Sequence, residues 1–463
     1  GHLIMNLEPL RAQTHPLDLP EIRTRIAYFM CNSDRISCMR VNKTWFQDFA
    51  GSLWHTVDLY KYKAFSQVPP TTIAKYGRLI RKARGMSEEK HFTAFQHAEV
   101  NLLTELHVSF THSLVGRALF FDVFRRNRFS LTTLLLFIWP EMDREKRESC
   151  VYFINIDIPA SGSKLTDLHL SSLNLSRSNF SDILKYSPRL QTVNIFNILF
   201  LVHNPTSELF QHQGVKTLHA SVCQVLAPDD HQPKSPSLLR HFPQLETWAD
   251  LAIPLSNPAI RVQSLRDELA CCCPRLSNVD FQGCFESCEV GDFLFGAFVR
   301  LKSCILMYDD LDATSLIGIL NHQETITRVE LKELYFGDRL YHTDDNPAAK
   351  NALSLILRSC RVLEVLSAWS HRMDMDVAEE HEWVCDGLKE LRVRVLGLET
   401  YTAVDDCLER LRMLRSCFGQ DDDMVLYNRG GSSLDRRICR KLLPMKKLKT
   451  VWLGTKNFYL ATL

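Results

Sequence analysis

Cysteine and histidine are the residues of this chain whose spacing most invites a chemical reading. Cys271, Cys272 and Cys273 are consecutive, and Cys284 and Cys288 follow shortly after. A structural zinc site wants two tight Cys-x-x-Cys pairs or matching histidines, because four ligands must converge tetrahedrally. Three consecutive cysteines on a helix cannot all face one metal, and Cys284 and Cys288 have three residues between them. They are expected as buried small apolar residues near a helix end. Of the 17 histidines, His91, His97, His107 and His112 lack a helix-spaced acidic partner, and His231 and His241 lie in proline-rich stretches. All are expected at the surface or in loops. Asp421-Asp422-Asp423 and Asp344-Asp345-Asn346 lack the alternation and closing Glu of a calcium loop, and read as solvated loops. Gly430-Gly431-Ser432-Ser433 has no lysine to bind phosphate. No catalytic residue, metal site or cofactor follows from these groups, so the chain reads as non-catalytic.

Any elements that position a site must then serve binding. The chain has 463 residues, 45% hydrophobic and 24% charged, with a formal net charge of +1. That composition is globular, and the near-neutral balance argues against a dedicated nucleic-acid binder. Its longest apolar runs, Leu131 to Trp139 and Val193 to Val202, are half of the ~20 residues of a membrane-spanning helix. No secretory leader is read after Met5, and the 15 cysteines are an odd number. The expectation is a protein of the cytoplasm or nucleus, without a membrane partner and with reduced thiols.

The pattern Leu-x-x-Leu-x-Leu, with Val, Ile, Phe or Cys allowed, starts at Leu103, Leu131, Leu165, Leu190, Val215, Leu245, Leu276, Leu301, Ile326, Leu363, Leu388 and Leu448. Five of the intervals are 25 residues. That period matches a leucine-rich repeat, one strand and one helix per coil. One coil cannot cover its own apolar face, so coils stack and share a core. Between the strands, NFSDILKYSPRL, SPSLLRHFPQL, LRDELACCCPRL and NALSLILRSCRVL read as short amphipathic helices. Pro188, Pro243 and Pro274 terminate three of them. The 60-residue interval between Leu388 and Leu448 is expected to hold one degenerate coil. The position three residues after the last leucine, where regular repeats carry Asn or Cys, holds Leu173, Ile198, Cys223, Ile253, Cys284, Asp309, Leu334 and Leu396. The turns must therefore satisfy their backbone groups by other means.

Residues Pro16 to Trp54 stand outside this repeat. Asp18 can cap a helix with apolar Ile22, Ile26 and Phe29, and Asn32-Ser33-Asp34 supplies a break and a new cap. Ile36, Met39 and Val41 continue an apolar surface, followed by Trp45 and Phe49. The sequence also offers Leu19-Pro20-Glu21-Ile22, Asp34-Arg35-Ile36, Val41-Asn42-Lys43-Thr44-Trp45 and Leu53-Trp54. On these residues the block resembles an F-box, and F-box followed by leucine-rich repeats is a known architecture. Cys273-Pro274-Arg275-Leu276 looks like the cysteine-containing repeat class of such proteins. The resemblance implies docking to a Skp-family adaptor in an SCF-type cullin–RING ubiquitin ligase, with the repeats selecting a protein substrate and the chain a monomer within a hetero-complex.

From the residues alone, the block has more apolar surface than it can bury, which suits helix-to-helix association. Its contact set is Leu19, Pro20, Ile22, Ile26, Met39, Val41 and Trp45. The alternative is a cap over the first edge of the array, which Trp54 suits. The expected fold is α/β: a tail over 1–15, a three-helix F-box-like block over 16–58, and over 59–463 a leucine-rich-repeat horseshoe with parallel strands on its concave face and irregular insertions. The strand residues on that face include His169, Asn194, His219, Asp280, Glu330, Arg392 and Trp452. Residues 61–90 are rich in Lys and Arg and residues 374–409 in Asp and Glu, a polarity that reads either as steering of a charged partner or as ordinary solvated faces.

Overall fold

Each leucine that opens the six-residue pattern is buried, and the two alternate residues that follow are buried with it almost without exception. The structure is a computed structural model. It describes residues 17, 19–60, 68–110, 114–138, 155–201, 210–221, 224–226, 238–252, 267–281, 298–307, 313–332, 347–398, 400–416, 432–453 and 461–462. Two compact units divide the chain, residues 1–151 with 156–172, and residues 152–155 with 173–463.

The first unit opens with helices α1 (Pro20–Phe29), α2 (Asn32–Met39) and α3 (Lys43–Trp54). Pro20 occupies the first turn of α1, where its missing N–H costs nothing. The N-cap is Leu19, which makes no side-chain cap hydrogen bond; Asp18, the expected cap, lies outside the described residues. Likewise α2 starts at Asn32 itself, with Cys31 as N-cap, one residue before the expected break. Asn42 does cap α3, its Oδ1 accepting from Trp45 N at 2.9 Å.

Strands then alternate with helices: β1 (Thr56–Asp58), α4 (Pro70–Tyr76), β2 (Lys82–Met86), α5 (Glu89–His97), β3 (Glu105–Phe110), α6 (Leu114–Asn127), β4 (Thr133–Ile138) and β5 (Asp167–Ser171). The five strands pair in chain order, all parallel. β2 carries no leucine signal. It buries Ala83 and Met86 and shifts register between them, with Gly85 at φ +76°. A Cβ at Gly85 would lie 2.8 Å from Tyr60 N, so glycine is required there.

The second unit contains β6 (Asn174–Ser176), α7 (Arg177–Tyr186), β7 (Thr192–Phe196), β8 (Leu199–Leu201), β9 (Thr217–Ser221), β10 (Gln224–Leu226), β11 (Thr247–Ala252), β12 (Asn278–Phe281) and β13 (Ser303–Met307). It continues with α8 (Ala313–Leu320), β14 (Arg328–Lys332), α9 (Pro347–Ser359), β15 (Val365–Met373), α10 (Met375–Glu379), β16 (Glu390–Val395), α11 (Tyr401–Ser416), α12 (Ser433–Leu442), β17 (Thr450–Trp452) and β18 (Ala461–Thr462). From β7 through β9 and β11 to β17 the strands pair parallel, each beside the one before, and β18 closes antiparallel. β6, β8 and β10 form a second, three-stranded parallel sheet. The fold is α/β, with strands added one after another as in a solenoid-like array.

Two expectations are corrected. Glu390, Leu391 and Arg392 pair directly with Thr450, Val451 and Trp452, so no strand of a further coil lies between β16 and β17 in the sheet; among the described residues the 60-residue interval holds α11 and α12. Of the four expected amphipathic helices, SPSLLRHFPQL yields only a single 3-10 turn, Leu238–His241, among the described residues.

The prolines act through the turn that follows each helix. Leu190, Leu245 and Leu276 N–H donate to Ser187, Phe242 and Cys273 O at 3.0–3.1 Å. Each proline is second in a four-residue turn, where its fixed φ fits. The same turn without proline precedes Leu363, Leu388 and Leu448.

Polar side chains complete the accounting that the missing Asn positions leave open. Leu173 and Ile198 at those positions are buried, and Leu396 is exposed. Cys223, Ile253, Cys284, Asp309 and Leu334 lie outside the described residues. Asn127, fully buried, accepts from Leu103 N and donates to Val100 O and Val123 O, all at 2.8 Å. Ser130 Oγ donates to Leu103 O at 2.7 Å. In the second unit His322 Nδ1 accepts from Leu301 N at 3.5 Å and Thr325 Oγ1 donates to Leu301 O at 2.8 Å. One device, built from a buried Asn or His and a hydroxyl three residues on, thus serves both units.

His91 and His241 are therefore not the surface or loop residues expected from their neighbours; both are buried. His241 Nδ1 donates to Phe210 O at 2.7 Å, and His91 Nδ1 closes the first turn of α5 by accepting from Glu88 N. His97 is exposed, while His112 and His231 lie outside the described residues. His212 is buried too, with Nδ1 accepting from Gly214 N and Val215 N and Nε2 donating to Ser187 O. That ring must be neutral, because both acceptor contacts fail if Nδ1 gains a proton.

Burial is the main cause pushing His55, His91, His107, His212 and His241 below the ordinary imidazole value. The unfolded chain then binds more protons below pH ~6.5, so stability is full above that value and falls as pH drops toward the depressed folded values. Tm measured at pH 7.5 and 5.5 is expected to be lower at the acid end. A Tm that is flat or rises toward pH 5.5 would contradict these buried rings.

Candidate functional site

Helix α1 shows an inverted amphipathicity. Its buried residues are Arg23 and Ala27, whereas Ile22, Ile26, Tyr28 and Phe29 are exposed. Arg23, 2% accessible, places Nε 2.6 Å from Asp48 Oδ2 on α3. Its Nη1 donates to Leu17 O at 2.5 Å. A buried guanidinium needs such a partner, so the pair fixes which face of α1 meets α3. Arg35 on α2 secures the other end of α1: Nε donates to Ala27 O at 2.7 Å and Nη2 to Tyr28 O at 3.5 Å.

The isoleucines cannot turn inward without ejecting that ion pair. The predicted contact residues consequently lie together on the surface of one small block. Leu19, Pro20, Ile22, Ile26 and Val41 are exposed, and Met39 and Trp45 are half-buried. Trp45 stacks on Phe49 at 5.6 Å between ring centroids, and Phe49 is the buried anchor of α3. Tyr28 was missing from the sequence-derived set, and Phe29 and Ile36 were apolar positions not assigned to it; Phe29 is 80% exposed. Arg23 and Asp48 were missed altogether. The available signal was Ala27, a small residue one turn after Arg23, marking the side on which another helix approaches.

The opposite edge of α3 behaves as a cover. Trp54 stacks on Tyr76 of α4 at 4.9 Å, and Phe46 lies 6.4 Å from the same ring.

The second candidate surface is the half-exposed face of the strands. His169, Asn194, His219, Asp280, Glu330, Arg392 and Trp452 all occupy half-buried positions between buried neighbours. The register brings some together. Asn194 is beside His219, Glu330 and Arg392 flank Ser367, and Arg392 is beside Trp452. Asp280 reaches Lys332, two strands away, at 2.7 Å. His169 belongs to the first unit, where it pairs in register with Leu135.

Also in the first unit, buried Glu105 collects Arg84 at 2.5 Å, His107 at 2.9 Å and Lys82 at 3.2 Å. Burial by itself raises that carboxyl; the Arg84 hydrogen bond, with His107 and Lys82, outweighs it and holds the group below its usual value. Within the second unit Arg437 of α12 bridges Asp376 at 2.6 Å and Glu379 at 2.7 Å. Part of the charge excess of both sequence stretches is thus spent on local pairs.

Among the described residues no group of His, Cys, Asp and Glu is placed to hold a metal ion. Cys273 is buried, and burial pushes its thiol up to about 12, while Cys271 is exposed and Cys272 half-buried. Cys284 and Cys288 lie outside the described residues. Among the described residues no helix is long and apolar enough to cross a membrane. No family model matches the sequence, and no curated protein matches it.

Proposed function

We propose that the chain is a non-catalytic substrate receptor of an SCF-type cullin–RING ubiquitin ligase. In this reading α1 to α3 form an F-box-like block that docks a Skp-family adaptor. The strand-and-helix array acts as a leucine-rich-repeat surface for a protein substrate. Function is then proximity: one part holds the ligase, another the target, and ubiquitin transfer occurs at raised effective concentration. The observation that carries the reading is the orientation of α1. A block serving only as a cover would turn Ile22, Ile26 and Phe29 inward, yet these three are exposed while a salt bridge fills the interior. An apolar helical face of this kind suits a helical partner.

A second reading, a scaffold whose first block only covers the array, draws on the Trp54–Tyr76 stack. The two readings separate in one measurement. The full chain is titrated with a purified Skp-family adaptor, beside Ile22→Asp and Ile26→Asp variants. Both isoleucines are exposed, so Tm should stay within ~1 kcal/mol equivalent. Adaptor affinity should fall at least ~10-fold, about 1.4 kcal/mol. Absence of binding by the unmodified chain at ~10 μM would remove the ligase reading and leave the scaffold.

A further inference from the structure

Helices α11 and α12 pack against each other in the second unit. Each turns one cysteine into the contact, Cys407 from α11 and Cys439 from α12. Both thiols are free and fully buried, and they share a side-chain hydrogen bond. The two residues are 32 positions apart in the sequence, so the fold brings them together. Other buried thiols of this unit behave differently: burial pushes Cys273, Cys360 and Cys385 up to about 12. Cys439 goes the other way. The Cys407 hydrogen bond, helped by the Arg410 charge, outweighs burial and the Asp435 carboxylate and holds it below the ordinary thiol value. Cys407 is pushed up, first by that hydrogen bond and then by burial. One sulfur is thus the readier thiolate and the other keeps its proton, as in reactive dithiols. A cleft of about 720 Å³ is lined by Ala403 and Arg410, one helical turn to either side of Cys407, and by Asp435, one turn before Cys439.

We propose that Cys407 and Cys439 are a modification site, oxidised by a peroxide to a reversible disulfide that ties α11 to α12. The Cys439 thiolate attacks one peroxide oxygen, the O–O bond breaks, and the sulfur becomes a sulfenic acid. The hydroxide released takes up the proton that Cys439 gave up and leaves as water. The Cys407 sulfur then attacks the sulfenic sulfur. The S–S bond forms, the S–O bond breaks, and the departing hydroxide carries off the Cys407 proton as a second water. Two thiols lose two electrons to one peroxide, and a dithiol reductant reverses the change. A disulfide needs its Cβ atoms ~4 Å apart, and thiols that already hydrogen-bond each other are placed for that. Cys271 and Cys272 also touch, but neighbours on one helix bridge only by distorting the peptide between them, and their bridge joins nothing new. Neither Cys407 nor Cys439 is exposed, so oxidation proceeds through local opening beside the cleft and is slower than at an exposed thiol such as Cys31.

The inference stands apart from the receptor reading, and its test needs no adaptor. The full chain, reduced and freed of reductant, is treated with hydrogen peroxide. Remaining thiols are alkylated, and the unreduced digest is mapped by mass spectrometry. A peptide pair joined through Cys407 and Cys439 should appear, two hydrogens lighter than the separate peptides, and dithiothreitol should abolish it. In concentrated urea the same treatment should scatter the bridges among many cysteines. The bridged native chain should melt several degrees higher than the same sample after dithiothreitol, because the bridge restrains the unfolded state. Cys407→Ala and Cys439→Ala should each lose that difference. The mapping uses the unmodified chain, so it decides the matter even where an alanine variant fails to fold. Full oxidation of Cys31 and Cys271 after prolonged exposure, with no joined peptide, overturns the proposal. So does a joined peptide no more abundant from the native chain than from the chain in urea, or a bridged chain that melts no higher than its re-reduced form.

Discussion

Replacing Asn127 with Ala is expected to destabilise the first unit by about 2–5 kcal/mol, among the largest effects of any single polar change in it. The side chain is completely inaccessible and makes three hydrogen bonds of 2.8 Å. Val123 O lies one helical turn before Asn127, so the helix's own amide can still serve it. Leu103 N and Val100 O lie outside the helix and lose their side-chain partner in a dry interior, at about 1–3 kcal/mol each. Asn127→Asp separates the two roles of the amide. It keeps an acceptor for Leu103 N but sets a carboxylate against two carbonyl oxygens, so it should be at least as damaging at pH 7. Thermal unfolding measures this. At 2–4 °C per kcal/mol for a unit of this size, the lowest-melting transition should drop by roughly 5–20 °C. A drop under ~2 °C would show that water replaces the amide at no cost, and that the polar turn does not hold successive coils together.

This same turn shows what the sequence could and could not disclose. The apolar side of the array was legible because it is periodic. Leu301, Cys304 and Leu306, or Leu388, Leu391 and Val393, are buried where the pattern placed them. Proline marked the turns because its φ is fixed. The polar side was not legible, since Asn127 and His322 bond to residues a whole coil earlier and share no residue type. Only the short relation of Asn127 to Ser130, and of His322 to Thr325, repeats. β2 escaped because Ala83 and a bulge at Gly85 replace the expected leucines. The 60-residue interval misled because its length suggested another strand, whereas β16 pairs directly with β17 and the described residues between them hold two helices. In the candidate docking block the apolar positions were read from spacing, but which face of α1 is buried depends on Arg23 and Asp48, 25 residues apart. No local pattern encodes that choice.

That choice leads to the other large expected effect. Asp48→Ala leaves Arg23 inside the three-helix block with only Leu17 O as a described partner, and breaking a buried ion pair costs about 3–5 kcal/mol. Arg23→Ala should cost less, about 2 kcal/mol, because Asp48, with 17% of its side chain accessible, can recover hydration. A segment this small has few other contacts to absorb the loss. In the Asp48→Ala variant α1 should detach from α3, helical circular dichroism should fall, and adaptor affinity should fall with it, although neither residue belongs to the exposed apolar face. Pairing Arg23→Met with Asp48→Leu removes both charges together. Well-packed apolar replacements of an ion pair are commonly neutral or stabilising, so this double variant should regain helicity. Its adaptor affinity then identifies the role of the pair. Recovery to within about threefold, under 1 kcal/mol, means that Arg23 and Asp48 act only by aiming Ile22, Ile26 and Phe29 outward. Restored helicity without restored affinity would mean that the partner reads the charges themselves, and the apolar-face account of docking would be wrong.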